Sequence, residues 1–288
     1  MKNFLFTFFP PSVIIVLSLA ERLRTLLKRA MTMILAFDVG NTNIVLGGID
    51  EDNVYFLSRL STHLDKTDDE YAVLIKSILD LHGVSPEQVE GCIISSVVPP
   101  LVNTLKNVVQ QLTGRGALVV GPGVKSGLRI AVGDPSELGA DLVVAAVAAL
   151  AKYKGPMVVL DLGTATTFSV LGGNGDFLGV IIYPGVMVSF DALTARTAQL
   201  PRISFDEPRR VIGTNSVDSM QSGLIYGNAA MIDGIIDRIE GELGETVNVI
   251  ATGGLAGSIV PHCRHNVITD DNLLLEGLRI IYYKNRRK

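Results

Sequence analysis

Two stretches of this 288-residue chain share one pattern, Phe37-Asp38-Val39-Gly40-Asn41-Thr42-Asn43 and Leu160-Asp161-Leu162-Gly163-Thr164-Ala165-Thr166-Thr167. In each, an apolar run ends in Asp, then Gly, then small hydroxyl or amide residues, and a second apolar run follows. Such a turn suits phosphate. Glycine lets the backbone turn tightly and approach a ligand, while consecutive main-chain N–H groups and the Thr and Asn side chains donate hydrogen bonds to phosphate oxygens. The Asp at the strand end can hold a cation that the phosphates need. One Asp-x-Gly turn is a weak signal, because many hairpins contain it. Two copies, each between apolar runs in one chain, are much stronger.

Three further stretches carry potential chemistry. Gly133-Asp134-Pro135-Ser136-Glu137-Leu138-Gly139-Ala140-Asp141 precedes an apolar helical run from Leu142 to Tyr153. Asp134 or Ser136 is expected to cap that helix, with Pro135 in its first turn and Asp141 one turn in. Asp141 is the lone acid entering a helix of Val, Ala and Leu. A carboxylate there is either held by a partner or placed to meet a substrate, because an unpaired buried charge is costly. Thr252-Gly253-Gly254 directly follows a short strand, Val247 to Ala251, and the two glycines permit close approach of a flat ligand such as an adenosine; a simple turn fits that piece equally well. Pro261-His262-Cys263-Arg264-His265 holds three potential metal ligands, but with no matching partner elsewhere it reads as an exposed polar loop.

The elements that must position these residues follow from periodicity. Ile34 to Val39 and Asn43 to Gly48 read as a hairpin and Tyr55 to Leu60 as a third strand. An amphipathic helix opens at Asp68-Asp69-Glu70 and closes at His82-Gly83, a buried strand runs from Gly91 to Val97, and a second helix covers Leu101 to Leu112. The second hairpin begins at Met157 and repeats this strand order, with Asn174-Gly175-Asp176 as a tight turn before a third strand, Phe177 to Ile182. Helices are expected over Val188 to Leu200, Gly223 to Leu243 and Leu273 to Tyr283. The repeat divides the chain into residues 33–153 and 154–288, joined near Lys152 to Gly155.

Composition narrows the class. Hydrophobic residues make up 48% and charged residues 19%, which indicates a globular protein. A net charge of -4 and the lack of a basic patch interleaved with aromatics argue against nucleic acid as a partner. Cys92 and Cys263 suggest no disulfide framework and fit a reducing compartment. Residues 1–32 form an extension. Its apolar run, Phe4 to Ala20, is short for a membrane span, and Arg22, Arg24, Lys28 and Arg29 after it outnumber Lys2 before it, against export. We read translation as starting at Met31 or Met33 and the protein as cytoplasmic, with a membrane anchor the minority reading.

A strand, an Asp-Gly turn and a return strand opening each half, with a Thr-Gly-Gly turn near the end, resemble the acetate and sugar kinase, actin and heat-shock ATPase superfamily. That likeness implies an α/β fold of two ribonuclease H-like (actin-like ATPase) domains around a nucleotide cleft. Within it, Asp38 to Asn43, Gly139-Ala140-Asp141, Asp161 to Thr167, Pro184-Gly185 and Leu275-Glu276-Gly277-Leu278-Arg279 resemble type III pantothenate kinase, over essentially everything from Met33 to Asn285. The resemblance implies ATP-dependent phosphorylation of pantothenate to 4′-phosphopantothenate, the first step of coenzyme A synthesis. By position, Asp38, Val39, Gly40, Asn41, Thr42, Asn43, Ile44 and Val45 would bind the ATP phosphates, with Asp38 helping to place Mg²⁺, and Thr164 would touch ATP. Gly253 and Gly254 would approach the adenosine. Asp161 would hold a monovalent cation, K⁺ or NH₄⁺, and Asp141 would be the general base. Gly139, Ala140, Asp141, Leu142 and Ser216 would border pantothenate, in a pocket at the interface of a homodimer.

Two positions depart from that pattern. The family's Gly-Ala-Asp is normally followed by Arg, here Leu142, and a substrate-contacting Tyr is replaced by Val132. Losing a charged donor that faces an anion would cost roughly 2 to 5 kcal/mol if nothing replaces it. Arg129 is a candidate replacement; alternatively Leu142 packs on its helix and the pocket is re-lined. These changes keep open a non-catalytic ATP-binding regulator, or a kinase of another small acceptor, on the same fold. Retention of Asp141 favours the enzyme.

Overall fold

The structure, a computed structural model, describes residues 32–286; the apolar run from Phe4 to Ala20 lies outside them. The first sheet is built from β1 (Met33–Val39), β2 (Asn43–Ile49), β3 (Val54–Ser61), β4 (Val89–Ser96) and β5 (Ala117–Val119), in the order β3-β2-β1-β4-β5. Between these strands run α1 (Asp68–Leu81) and α2 (Pro99–Thr113). Thr67 caps α1 and Glu70 returns the contact to the Thr67 N–H, a reciprocal pair that fixes where the helix starts.

The second sheet repeats the first. It contains β6 (Arg129–Ile130), β7 (Met157–Leu162), β8 (Ala165–Leu171), β9 (Asp176–Pro184), β10 (Asn248–Thr252) and β11 (Val267–Thr269), ordered β11-β10-β7-β8-β9-β6. Reading β9-β8-β7-β10-β11 against β3-β2-β1-β4-β5 gives the same arrangement, with an antiparallel meander on one side and parallel pairs on the other. Asp38 and Asp161 therefore occupy equivalent positions: Asp38 pairs with Val45 and Ser95, Asp161 with Thr167 and Thr252.

The central strands β1, β4, β7 and β10 are buried on both faces, which explains why they read as continuous apolar runs. Along β1, Met33, Leu35, Phe37 and Val39 face the core under α1 and α2, while Ile34 and Ala36 face the opposite core. That opposite core is shared between α3 (Ala140–Lys152) and a C-terminal helix, Leu273–Arg286, which contributes Leu275, Leu278 and Ile281 to the first sheet although it follows the second in sequence. Helix α3 is covered on two sides. Val144 and Val147 pack toward the first sheet, whereas Ala145, Ala146, Ala148 and Ala149 pack toward Met157, Val159, Leu171 and Phe177 of the second. Small residues are required at this crowded position; a Cβ at Gly277 of the C-terminal helix would collide with the carbonyl oxygen of Val144.

Several boundaries differ from the sequence expectation. Asp134 caps a separate 3₁₀ turn, Pro135–Glu137, rather than α3; the N-cap of α3 is Gly139, and Asp141 is its second residue, not one turn in. Pro135 suits the first position of that short turn, and the chain leaves the helical region at Leu138 (ψ 123°) before α3 begins. The helix expected from Val188 to Leu200 is Val186–Ala195. The polar stretch before Gly223 is itself helical (Ser216–Ser222), capped by Asn215, and passes through a π-turn, Gly223–Gly227, into the helix Asn228–Leu243. β6 and β11 are too short to carry a period and had no sequence signal.

Candidate active site

Both hairpins open into one cleft of about 250 Å³ between the sheets. Its walls bring together Asp38 to Asn43 and Val45 from the first hairpin, Asp161, Gly163, Thr164 and Thr167 from the second, Asp141 from the start of α3, and the Thr252-Gly253-Gly254 turn. The topology explains the meeting: in each sheet the Asp-Gly turn lies at the carboxyl end of the first strand, and β4 and β10 run parallel to those strands, so their own carboxyl ends lie alongside. Ile44 points the other way, into the core.

The turns are tied from several directions. Gly40 N–H donates to the carbonyl of Asn43 at 3.0 Å and Gly163 N–H to that of Ala165 at 3.1 Å. Thr62, after β3, donates its hydroxyl to the Gly40 carbonyl (2.7 Å) and its N–H to the Thr42 carbonyl (2.9 Å), bracing the first turn from outside; nothing in the sequence marked it. Neither Gly40 nor Gly163 needs a left-handed conformation. The glycine that does is Gly253, at φ +98°, and a Cβ there would stand 2.6 Å from Asp161 Oδ1 and 2.7 Å from the Leu162 backbone. The adenosine-like turn is thus packed directly on the carboxylate of the second hairpin.

The electrostatics are dominated by three acids. Burial, then the carboxylates of Asp141 and Asp161, push the Asp38 pKa up to about 7, with the Ser95 hydroxyl pulling it back. Burial and then Asp141 raise Asp161 to about 7. Asp141 is raised by burial too, offset by the Leu142 N–H that its Oδ1 accepts at 2.8 Å. Burial holds all three carboxyls above their ordinary range, and the Asp141 carboxylate adds to the rise at Asp38 and at Asp161. Asp38 and Asp161 each present the hard oxygen ligand that a divalent cation bound to phosphates takes.

Other expected site residues fall elsewhere. Gly139 and Ala140 line a neighbouring cavity with Ser96, Val97 and the 134–138 loop. Ser216 lines a separate cavity of about 730 Å³ with Ser189, Phe190 and Met220, so a single chain does not bring it to the cleft. Leu142 is absent from the cleft wall and packs, with Val132 and Leu138, on the alanine face of α3. Arg129 does not replace the missing arginine: its guanidinium is paired with Asp176 on the adjoining β9. His265, expected in an isolated polar loop, does meet partners, with Nε2 2.8 Å from Asp237 Oδ1 and Glu240 close by; hydrogen bonds from Arg264 to Asp237 and from the Val247 N–H to Glu240 engage the same carboxylates.

Residues 34–238 match the profile of the type III pantothenate kinase family. The chain belongs to that family. A type III pantothenate kinase of Exiguobacterium sp. is 51% identical over 255 residues, spanning 88% of this chain and 100% of that protein. One from Syntrophus aciditrophicus is 43% identical over 253 residues with the same coverage. Among solved structures, component A of the (R)-2-hydroxyglutaryl-CoA dehydratase of Acidaminococcus fermentans is similar at TM-score 0.51 and 14% identity, covering 89% of this chain and 100% of that one. This last likeness concerns the fold alone. The two-sheet α/β architecture is that of the actin-like ATPases and sugar kinases. Among the described residues no helix is long and apolar enough to cross a membrane.

Proposed function

We propose that this chain is an ATP-dependent pantothenate kinase that makes 4′-phosphopantothenate at the entry to coenzyme A synthesis, with Asp141 as its general base. The observation that carries the assignment of roles is the convergence of two phosphate-type hairpins, a left-handed Gly turn and three interacting buried acids in one cleft. In phosphoryl transfer the protein mainly positions groups and offsets charge. Main-chain N–H groups and side chains of the turn residues 39–43, with Thr164, would donate to the phosphates from opposite walls, and Gly253 and Gly254 admit the adenosine. Asp38 would hold Mg²⁺ through the phosphates and Asp161 a monovalent cation, K⁺ or NH₄⁺; these ions supply positive charge against the transferred phosphoryl. Asp141, fixed by the first turn of α3, accepts the proton of the attacking primary hydroxyl, and its raised pKa brings it closer to the operating pH of a base.

Gly139 and Ala140 border the acceptor, in a pocket completed in a homodimer. Ile181, Ile182 and Tyr183 on β9 and Met187, Val188 and Leu193 on the following helix are exposed apolar side chains, and Ser189 of that helix lines the Ser216 cavity. Pairing two copies over this face would cover these apolar side chains beside the Ser216 cavity. Light scattering reads this directly: a mass of two chains is expected, and a monomer that turns over pantothenate would overturn it. A cytoplasmic enzyme fits the ATP requirement. ADP release by full-length protein with ATP, Mg²⁺ and K⁺ should depend on pantothenate and disappear in Asp141→Asn; nucleotide binding without such turnover would instead favour the regulator or another acceptor.

A further inference from the structure

Among the described residues that line the cleft there are four carboxylates, Asp38, Asp141, Asp161 and Asp271, and one cationic side chain, Arg59. A nucleoside polyphosphate adds several more negative charges to this already acidic space. Bound cations can offset part of them, but only Arg59 brings protein-borne positive charge to the wall. Its placement is specific. Arg59 lies on β3, opposite Val45 of β2, and Leu57 lies opposite Gly47; this face of the hairpin meets Leu274 and Leu275 at the start of the C-terminal helix. From there Arg59 reaches across the cleft to the other sheet, its Nη1 3.7 Å from where a Cβ on Gly254 would stand.

Arg59 and the Gly253-Gly254 turn line the same cleft as Thr42 and Thr164, whose hydroxyls meet across it, and Gly253 is packed on Asp161 and Leu162 of the second hairpin. We propose that Arg59 is a nucleotide ligand that binds the phosphate chain at its adenosine-proximal end, between the glycine turn and the threonines. A guanidinium suits that task because its planar fork donates two parallel hydrogen bonds to phosphate oxygens, which a lysine cannot reproduce. Arg59 belongs to the first sheet and the turn it faces to the second, so a phosphate chain held by both would bridge the two sheets. The proposal rests on the kinase reading for the identity of the nucleotide.

The test is calorimetric titration of the full-length protein, Arg59→Lys and Arg59→Gln with ATP, ADP and adenosine, at two salt concentrations. Arg59→Gln should weaken ATP and ADP by about 10- to 100-fold and leave adenosine within about 2-fold, with Arg59→Lys recovering part of the loss. The ATP affinity of Arg59→Gln should also fall less steeply with added salt. Unchanged ATP affinity, equal losses for ATP and adenosine, or no nucleotide binding by the unsubstituted protein would each overturn the proposal. Arg59 is exposed, so the Gln variant is expected to fold; should it not, the Lys variant and the salt dependence carry the same distinction. ADP release with pantothenate is measured in parallel. Phosphate-selective loss in Arg59→Gln without pantothenate turnover in the parent protein would sustain Arg59 and reject the kinase assignment.

Discussion

The hydroxyl oxygens of Thr42 and Thr164 lie 2.9 Å apart, a hydrogen bond that joins the two hairpins across 122 residues of sequence. Both side chains are exposed, so water competes for them and the bond contributes about 0.5 kcal/mol or less to stability. Its role lies in the cleft. A phosphate placed between the turns would take over both donors. Thr164→Val is therefore expected to raise the KM for ATP by about 10-fold while changing stability by less than about 1 kcal/mol. A double-mutant cycle with Thr42→Val, read in ATP affinity, should give a non-zero coupling; strict additivity would mean that the two hydroxyls do not share a ligand.

Stability should fall as pH rises. Asp38 and Asp161 have pKa values near 7 in the folded chain against 3.8 as ordinary carboxylates, so the folded state binds more protons between about pH 4 and 7. A group whose folded pKa is raised contributes stability that is present below its unfolded value and lost as pH climbs through the folded one. The melting temperature of the ion-free protein should thus decline from pH 5 to pH 8, and Asp161→Asn should flatten the decline. Cations that bind the ionised carboxylates should restore stability at pH 8, with K⁺ and Mg²⁺ tested separately against Na⁺. A flat profile without ions would show that the three acids do not interact as their burial requires.

Asp141→Asn separates chemistry from binding. The amide keeps the shape and the acceptor oxygen for the Leu142 N–H, but it has no affinity for the proton of the attacking hydroxyl. Turnover should drop by about 10²- to 10⁴-fold, with ATP affinity retained within a few-fold. Because Asp141 also raises Asp38 and Asp161, cation binding by the variant in the absence of nucleotide should show a pH dependence shifted to lower pH. Loss of nucleotide affinity equal to the loss of rate would identify Asp141 as a binding residue instead.

The twin hairpins, the order of strands around them and the apolar helix carrying Asp141 were legible because each rests on local pattern: period-2 or continuous apolar runs, an Asp-Gly turn, a small-residue helix. What escaped depends on contacts distant in sequence. Thr62 braces the first turn only because β3 returns beside it, and Arg59 enters the cleft only because the sheets face one another. The C-terminal helix packs on the first sheet, which no local period reports. The start of α3 was misplaced because Asp134-Pro135-Ser136 is a proper capping sequence, used here for one 3₁₀ turn. The packing of Gly253 on Asp161 Oδ1 and the Leu162 backbone likewise joins residues far apart in sequence, which no local pattern reports.

That packing makes Gly253→Ala informative. The new methyl would need a left-handed backbone at φ +98° and would stand 2.6 Å from Asp161 Oδ1. Strain and collision together should destabilise the protein by about 2 kcal/mol or more, lowering the melting temperature by several degrees. The displaced Asp161 should also lose selective activation by K⁺ or NH₄⁺. Destabilisation with cation activation intact would mean that the turn yields while Asp161 stays in place.

Leu142→Arg tests whether the apolar wall at the acceptor side is a packing solution. Leu142 and Val132 both pack, with Leu138, against the cluster that includes the alanine face of α3. Restoring arginine alone would push a guanidinium against that cluster while Val132 stays too short to redirect it. The expected result is a loss of about 1–3 kcal/mol in denaturant unfolding with no gain in kcat/KM for pantothenate. Arg129 offers no relief, because Asp176 already holds it, and Arg129→Ala should leave kcat/KM unchanged. A rise in kcat/KM for Leu142→Arg would instead place position 142 at the acceptor, with the side chain free to turn out of the cluster toward an anionic substrate.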